Sequence, residues 1–140
     1  MIRQINKKDT LFISEYLSKK LSISNKEANS KISKLIKSGL PAFIKEGLYI
    51  DGICWVEIDD KKVKRINFQV DNWKIAEDFI KVLKWNLNGD YIIELPKYDF
   101  LNKTLNKNGF KFFKVENNKN YYTYKFEKRV FYNTKSDDNI

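Results

Sequence analysis

Apolar residues recur at two different spacings along the chain, and each spacing predicts a different element. Three long segments carry apolar residues at helical spacing, which would place them on one face of a helix. Those faces are Ile13, Tyr16, Leu17 and Leu21; Ala28, Ile32, Leu35 and Ile36; and Ala76, Phe79, Ile80, Leu83 and Leu87. Gly39 and Pro41 end the second segment, and Asn72 is a good N-cap for the third.

Between these segments, short alternating or continuous apolar runs predict strands. They cover residues 2–5, 42–47, 48–58, 63–70, 91–95, 110–115 and 121–126, and a short helix through Leu101 and Leu105 ends at Asn108-Gly109. The predicted element order is therefore β-α-α-β-β-β-α-β-α-β-β. The last two strands read as a terminal hairpin.

The size of the chain favours one domain. It has 140 residues, of which 42% are hydrophobic and 15% aromatic, so it can bury a core of its own. No Pro-, Gly- or Ser-rich linker divides it. We expect one domain over residues 1–129 and a C-terminal tail over residues 130–140, either docked on a sheet edge or disordered.

Cysteine and histidine usage excludes several classes of site. The chain has one cysteine and no histidine, so it cannot build an internal disulfide, a Cys/His zinc site or a Ser-His-Asp triad. Cys54 lies in the apolar run Ile53-Cys54-Trp55-Val56 and is expected to be core packing. We predict no metal site.

The net charge and the N-terminal sequence give little evidence for a particular partner or for export. The net charge is +9, but lysines are spread along the chain among acidic residues, which favours a solvated surface over a nucleic-acid interface. The N-terminus becomes charged too early for a signal peptide, and no apolar stretch is long enough to cross a membrane. We expect a cytoplasmic protein.

Two local motifs, taken with the element order, resemble the GNAT superfamily of N-acetyltransferases over nearly the whole chain. Residues 43–56 read as a strand, a turn, and Gly52 followed by an apolar run, and Leu105-Asn106-Lys107-Asn108-Gly109-Phe110 is similar to the helix-to-strand segment that ends in Gly-Phe. The resemblance implies an α/β (α+β) fold with a mixed, mostly antiparallel sheet of about seven strands flanked by about four helices.

The resemblance also implies a cofactor site. In such folds the fourth and fifth strands splay, and the pantetheine arm of acetyl-CoA runs along the fourth strand, where Phe68, Gln69 and Val70 correspond. The loop that follows normally holds pyrophosphate on glycine amides and a helix N-terminus. Here that loop is short, has no glycine and contains Asp71. Trp73 and Lys74 are the residues left to meet the phosphates.

The sequence indicates the catalytic residues less clearly than the cofactor site. The family often carries a tyrosine four residues before the Gly-Phe glycine, and here that position is Leu105. Tyr98 is the alternative proton donor. If it has only a structural role, its ring covers the end of the sheet. Glu57 and Glu94 are the candidate general bases, and each could equally be a solvated strand residue.

The sequence is compatible with two functions. The first is an acyltransferase that moves an acetyl group from acetyl-CoA to an unknown amine, with activity weak or lost. The second is a catalytically inactive binding protein on the same fold, encoded by a phage or other mobile element, with a protein partner preferred over nucleic acid. Its surface would be the aromatic hairpin of Tyr121, Tyr122, Tyr124 and Phe126 together with Phe131 and Tyr132, unless Tyr122, Tyr124 and Phe126 are core. The sequence leaves a homodimer open.

Overall fold

A computed structural model describes residues 1–128, and seven strands in it form one sheet. The strands are β1 (Ile2–Gln4), β2 (Ala42–Glu46), β3 (Ile50–Ile58), β4 (Lys64–Val70), β5 (Gly89–Pro96), β6 (Lys111–Glu116) and β7 (Lys119–Phe126). They lie in the order β1-β2-β3-β4-β5-β7-β6, and every neighbouring pair is antiparallel except β4 and β5.

Within residues 1–128, four α-helices pack on the sheet, and side-chain caps explain where two of them begin. They are α1 (Thr10–Leu21), α2 (Asn25–Ser38), α3 (Trp73–Asn86) and α4 (Leu101–Lys107). The side chains of Ser24 and Asn72 accept from the backbone N–H groups of Glu27 and Ile75, which caps α2 and α3. Among the described residues, no helix is long and apolar enough to cross a bilayer.

The two faces of the sheet carry separate cores. Side chains that alternate along β3 point to opposite faces, so Cys54 and Val56 face α3 and α4, whereas Ile53 and Trp55 face α1 and α2. The α3 side spans β2 to β7. The core on the α1 and α2 side includes residues of β2 and β3 and none of β4 to β7.

The predicted fold class and element order are confirmed. Cys54 is fully buried, and the aromatic residues Tyr122 and Phe126 of the terminal hairpin are core rather than surface. One detail differs from the sequence-based expectations. β3 begins at Ile50, because Gly47 to Tyr49 form the turn. Before α1, the Asn6 side chain accepts from the Lys8 N–H and the Asp9 side chain accepts from the Asn6 N–H, so the two residues form a capping box. The predicted tail lies outside the described residues.

Candidate functional site

The most distinctive feature of the sheet is an opening between β4 and β5. These are the only parallel neighbours in the described part of the chain, and a single pair, Arg65 with Ile92, joins them. On its other side β4 is paired with β3 along its whole length, from Lys64 to Val70. The C-terminal half of β4 is therefore bonded on one side only.

Strand geometry determines which main-chain groups of β4 face the opening. The N–H of Asp71 donates to the carbonyl of Asp51 at 3.0 Å. In an antiparallel ladder, residues with main-chain groups directed to the partner alternate with residues whose groups point away. Asn67 and Gln69 therefore turn their N–H and C=O groups to β3, and Phe68 and Val70 turn theirs to the opening. Of the three predicted pantetheine residues, Phe68 and Val70 have the required orientation.

The C-terminal end of β4 contacts α1 through the side chain of Tyr16. The Tyr16 hydroxyl lies within hydrogen-bond distance of three acceptors: the Asp51 carbonyl at 3.0 Å, the Gln69 carbonyl at 3.3 Å and Asp71 Oδ1 at 2.9 Å. Burial, and then the Asp71 carboxylate, raise the pKa of Tyr16 well above its usual value. Lys20 also contacts Asp71 Oδ1 at 3.0 Å, so the carboxylate is neutralised on the α1 side of the sheet.

The N-terminus of α3 follows β4 after two residues, Asp71 and Asn72. The Asn72 side chain accepts from the Ile75 N–H at 3.1 Å and so caps that amide. The main-chain amides that precede Ile75 in the first turn do not receive this hydrogen bond. Trp73 is 51% exposed, and Lys107 of α4 lies 5.5 Å from the centre of its ring. Lys74 is exposed beside it. Lys107 Nζ also lies 3.7 Å from Glu77 Oε2. The predicted phosphate end is therefore an aromatic ring with two lysines, one of them paired with a carboxylate, and no glycine loop.

A cluster of charged side chains occupies the sheet face that α1 and α2 leave uncovered. Arg65 of β4 lies 3.6 Å from Asp59 and 3.9 Å from Glu94 of β5. Lys119 lies 4.0 Å from the other oxygen of Glu94. The Tyr121 hydroxyl hydrogen-bonds to Glu94, which raises the pKa of Tyr121. Glu94 is thus half-buried beside the opening, with both cations and a phenol around it.

The other two predicted catalytic residues lie apart from Glu94. Glu57, on β3, accepts from the Asn67 side chain at 2.6 Å on the same uncovered face. Tyr98 follows β5 in a turn and is 87% exposed, with Lys97 5.7 Å from its ring centre. The structure therefore brings Glu57 and Glu94 to one face of the sheet and leaves Tyr98 at its end.

Sequence reasoning missed Arg65, Asn67 and Tyr121 as members of this cluster. The signal was present for the first two, since Arg65, Asn67 and Gln69 alternate with the apolar residues of β4 and so share its polar face. Tyr121 belongs to the predicted aromatic hairpin, whose pattern gives no sign of a contact with Glu94. Tyr16 belongs to the predicted apolar stripe of α1, and its hydroxyl contacts depend on tertiary packing that the stripe does not reveal.

Comparison with known proteins places this geometry in context. No protein-family model and no curated protein sequence matches the chain. Among solved structures, it is similar to a GNAT-family acetyltransferase from Bacillus cereus, with a TM-score of 0.75 and 14% identity over 91% of this chain and 98% of that one. For the aminoglycoside 6'-N-acetyltransferase of Enterococcus faecium, the TM-score is 0.75 and the identity 8%, over 94% and 99% of the two chains.

A third similar structure is an N-acetyltransferase from Staphylococcus aureus, with a TM-score of 0.70 and 12% identity over 89% of this chain and 96% of that one. These similarities extend over nearly the full length of each chain while the identities stay low. The chain therefore has a divergent GNAT fold.

Proposed function

We propose that the chain is an acyl-CoA-dependent N-acyltransferase that moves an acetyl group from acetyl-CoA to an amine. The observation that carries the proposal is the opening between β4 and β5, into which Phe68 and Val70 direct their main-chain groups. The GNAT fold of the chain supports the same function.

The opening suits the pantetheine arm of acyl-CoA. That arm contains two amides in an extended chain, and an extended amide chain pairs with unpaired N–H and C=O groups as an added strand does. Phe68 and Val70 lie on the same side of β4 and beyond its single bridge to β5. We assign the pantetheine contact to these two residues, while the main chain of Gln69 is paired with β3.

The phosphate end would be bound by side chains rather than by a glycine loop. Lys74 and Lys107 offer two cations near the first turn of α3, where the free amides and the helix dipole also favour an anion. Asp71 would oppose this binding, but Lys20 and Tyr16 already hold its carboxylate. Trp73 is exposed enough for its ring to stack on an adenine or cover the phosphates.

The chemistry requires two proton transfers around one acyl transfer. The acceptor nitrogen bonds to the acyl carbon, the C–S bond breaks, an amine proton leaves to a base, and the departing thiolate gains a proton. Glu94 is our candidate base, because it lies beside the opening on the uncovered face. Glu57 is the alternative base, and the Asn67 side-chain amide, which donates to it, would orient its carboxylate. Tyr98 is the predicted donor to sulfur and would have to be covered by bound substrate to serve.

Calorimetric titration with acetyl-CoA and with CoA tests the binding half of the proposal. We expect micromolar binding that is weakened at least tenfold in the Lys74→Glu, Lys107→Glu double variant, with Lys125→Glu as a matched control on an exposed strand residue. Trp73 fluorescence should change on binding, and a Trp73→Phe variant should lose that change. No heat at millimolar ligand would overturn the proposal.

Activity tests separate the two carboxylates. Acetyl transfer to a panel of amines should fall about a hundredfold or more in Glu94→Gln if Glu94 is the base, with little change in the affinity for acetyl-CoA. Glu57→Gln, on the same face, tests the alternative base. An equal loss in both variants, or a loss only in Glu57→Gln, would remove Glu94 from this role.

A catalytically inactive binding protein is the second candidate, and β6 is the observation that favours it. This edge strand is exposed along its whole length and carries Phe112 at 49%, Phe113 at 46% and Val115 at 51% exposure. Unpaired apolar edge strands readily accept another strand, from a protein partner or a second copy. If CoA fails to bind, a Phe113→Asp variant that abolishes self-association or partner binding would support this function.

A further inference from the structure

The outer edge of β6 is one end of the sheet and has no neighbouring strand within residues 1–128. All six residues of the strand are exposed, and they read Lys-Phe-Phe-Lys-Val-Glu over Lys111–Glu116. An exposed edge strand with apolar side chains is a template for another strand. The direction of its main-chain groups and the order of its charges determine which strand fits.

The pairing of β7 with β5 shows which main-chain groups of β6 point outward. The N–H of Lys97, which follows β5, donates to the Asn118 carbonyl at 3.1 Å. Because bonded pairs alternate along an antiparallel ladder, the residues two and four positions after Asn118 also turn their main-chain groups to β5. Phe112 and Val115 lie opposite those residues, so their own N–H and C=O groups point away from β7 to the open edge.

A bulge in β6 brings both of these residues to the same edge. Residues three apart on a regular strand direct their main-chain groups to opposite edges, but the register with β7 shifts between Phe112 and Lys114, so Phe113 is an extra residue. A second copy of β6, laid antiparallel, can therefore pair Phe112 with the partner's Val115 and Val115 with the partner's Phe112. Each of these pairs exchanges both of its hydrogen bonds, and the two bulges lie side by side.

The charges of β6 are complementary to those of a reversed copy. In this register Lys111 lies opposite the partner's Glu116 at each end of the pairing. Lys111 forms no ion pair with another described residue, and Glu116 uses one oxygen, Oε1, to contact Lys114 at 3.4 Å. Lysine on an edge strand usually opposes edge-to-edge pairing, but here a carboxylate meets it. Cross-strand pairs of opposite charge stabilise a sheet.

The apolar side chains fit the same register. Phe112 contacts Tyr122 edge-on, with 5.9 Å between the ring centres, on the sheet face that α4 covers. Val115 lies on that face too, because it is opposite Asn120, whose side chain donates to Asn102 of α4. Phe112 and the partner's Val115 would therefore lie side by side and cover apolar surface that is exposed in one copy.

We propose that the chain forms a symmetric dimer through β6, in which Phe112 pairs with the partner's Val115 and Lys111 with the partner's Glu116, so that two sheets become one. The dimer rests on the second proposed function only in using β6 as the binding edge. It requires neither loss of catalysis nor acetyl-CoA, because β7 and β5 separate β6 from the opening beside β4.

Sedimentation equilibrium of the full chain at physiological salt measures the dimer, since salt screens the repulsion between two chains of net charge +9. Lys111→Glu and Glu116→Lys each bring like charges together, so each should weaken dimerisation about tenfold or more. An equimolar mixture of the two variants restores opposite charges at both ends and should dimerise within about threefold of the unmodified chain. Lys125→Glu, on an exposed position of β7, is the matched control.

Cysteine cross-linking tests the register. Lys111→Cys and Glu116→Cys introduce thiols that meet only across the dimer, at a spacing that a disulfide can bridge. On mild oxidation, an equimolar mixture should form at least about tenfold more covalent dimer than either variant alone. Cys54 is fully buried and does not compete. A mixture of Lys111→Cys with Lys125→Cys is the control and should not cross-link.

Three results would overturn the proposal: a chain that stays monomeric at millimolar concentration, dimerisation that both charge reversals leave unchanged, or equal cross-linking in the mixture and in the separate variants. Circular dichroism and thermal unfolding report whether each variant is folded. Because no titration here contains CoA, a failure of acetyl-CoA binding would leave the dimer standing. Conversely, Lys111→Glu should bind acetyl-CoA as the unmodified chain does, so loss of the dimer would leave the transferase proposal intact.

Discussion

The two sides of β4 differ in how much of the strand is hydrogen-bonded to a neighbour. Toward β3 the strand is registered along all seven residues, and the Tyr16 hydroxyl adds contacts to its end. Toward β5 it has one registered pair, after which Phe68 and Val70 face a gap. A strand can leave half its main chain without a partner when the other half is firmly held, because its position is then fixed before any ligand arrives.

Hydrogen exchange of individual β4 amides should reveal this difference most strongly. The amides of Asn67 and Gln69 donate within the β3 ladder, whereas those of Phe68 and Val70 face the gap, so we expect the first pair to exchange on the order of a hundredfold more slowly. NMR-detected exchange measures this directly. Acetyl-CoA should slow Phe68 and Val70 and leave the other pair unchanged. Uniform protection along β4 would mean that the gap is closed in solution.

The opening itself could be predicted from the sequence only through element order. A strand, a helix and a strand in succession imply parallel neighbours, and the resemblance to the GNAT superfamily placed the splay between residues 63–70 and 91–95. Periodicity could not state where the ladder ends, since this depends on how α3 and α4 pack beneath the strands. The contacts of Tyr16 likewise join segments 35 to 55 positions apart in the chain.

The candidate site was predictable in part. Glu57 at the end of the third strand and Glu94 on the fifth are predicted from their positions near the expected cleft, and the structure puts both on the uncovered face beside Arg65 and Asn67. The exposure of Phe12, Leu48 and Tyr49 could not be predicted, because it depends on the tertiary arrangement around them.

A glycine on the paired side offers a test of how tightly that side is packed. A Cβ on Gly52 would lie 2.9 Å from Ile75 Cγ2, 3.0 Å from Val70 Cγ1 and 3.1 Å from Phe79 Cε2. Gly52→Ala should therefore destabilise the fold by about 1 to 3 kcal/mol in urea unfolding. Gly47→Ala is the control, because a Cβ there meets nothing within 4 Å. Equal stability in both variants would show that α3 has room to shift.

Removing one hydroxyl should loosen the end of β4 in a pH-dependent way. Tyr16→Phe is expected to cost about 1 to 2 kcal/mol near neutral pH, because the acceptors on Asp51, Gln69 and Asp71 lose a partly buried donor. The pKa of Tyr16 is raised in the folded state, so its neutral form is favoured by folding. That stabilisation is complete below pH of about 10, the pKa in the unfolded chain, and is lost as pH rises toward the folded-state value.

Urea unfolding of both proteins between pH 8 and 11 checks this behaviour, since other tyrosines and the lysines titrate in both. The difference in unfolding free energy between the unmodified chain and Tyr16→Phe should be constant at the lower end and shrink above about pH 10. A difference that stays constant over the range would mean that Tyr16 ionises with its ordinary pKa, and that the hydroxyl does not hold β4.

The smallest effect is expected from the ion pair that shares Asp71 with Tyr16. Lys20 and Asp71 are both partly exposed, so Lys20→Met should lower the unfolding free energy by less than about 1 kcal/mol, and added salt should shrink the difference.

The same substitution should affect acetyl-CoA binding more than it affects stability. Without Lys20, the Asp71 charge would oppose an anion at the start of α3, and acetyl-CoA should bind more weakly than to the matched Lys19→Met variant. Lys19 forms no ion pair with another described residue. Equal acetyl-CoA affinities in the two variants would indicate that phosphate binds away from Asp71. The contacts that fix the end of β4 would then have no effect on ligand binding at its open side.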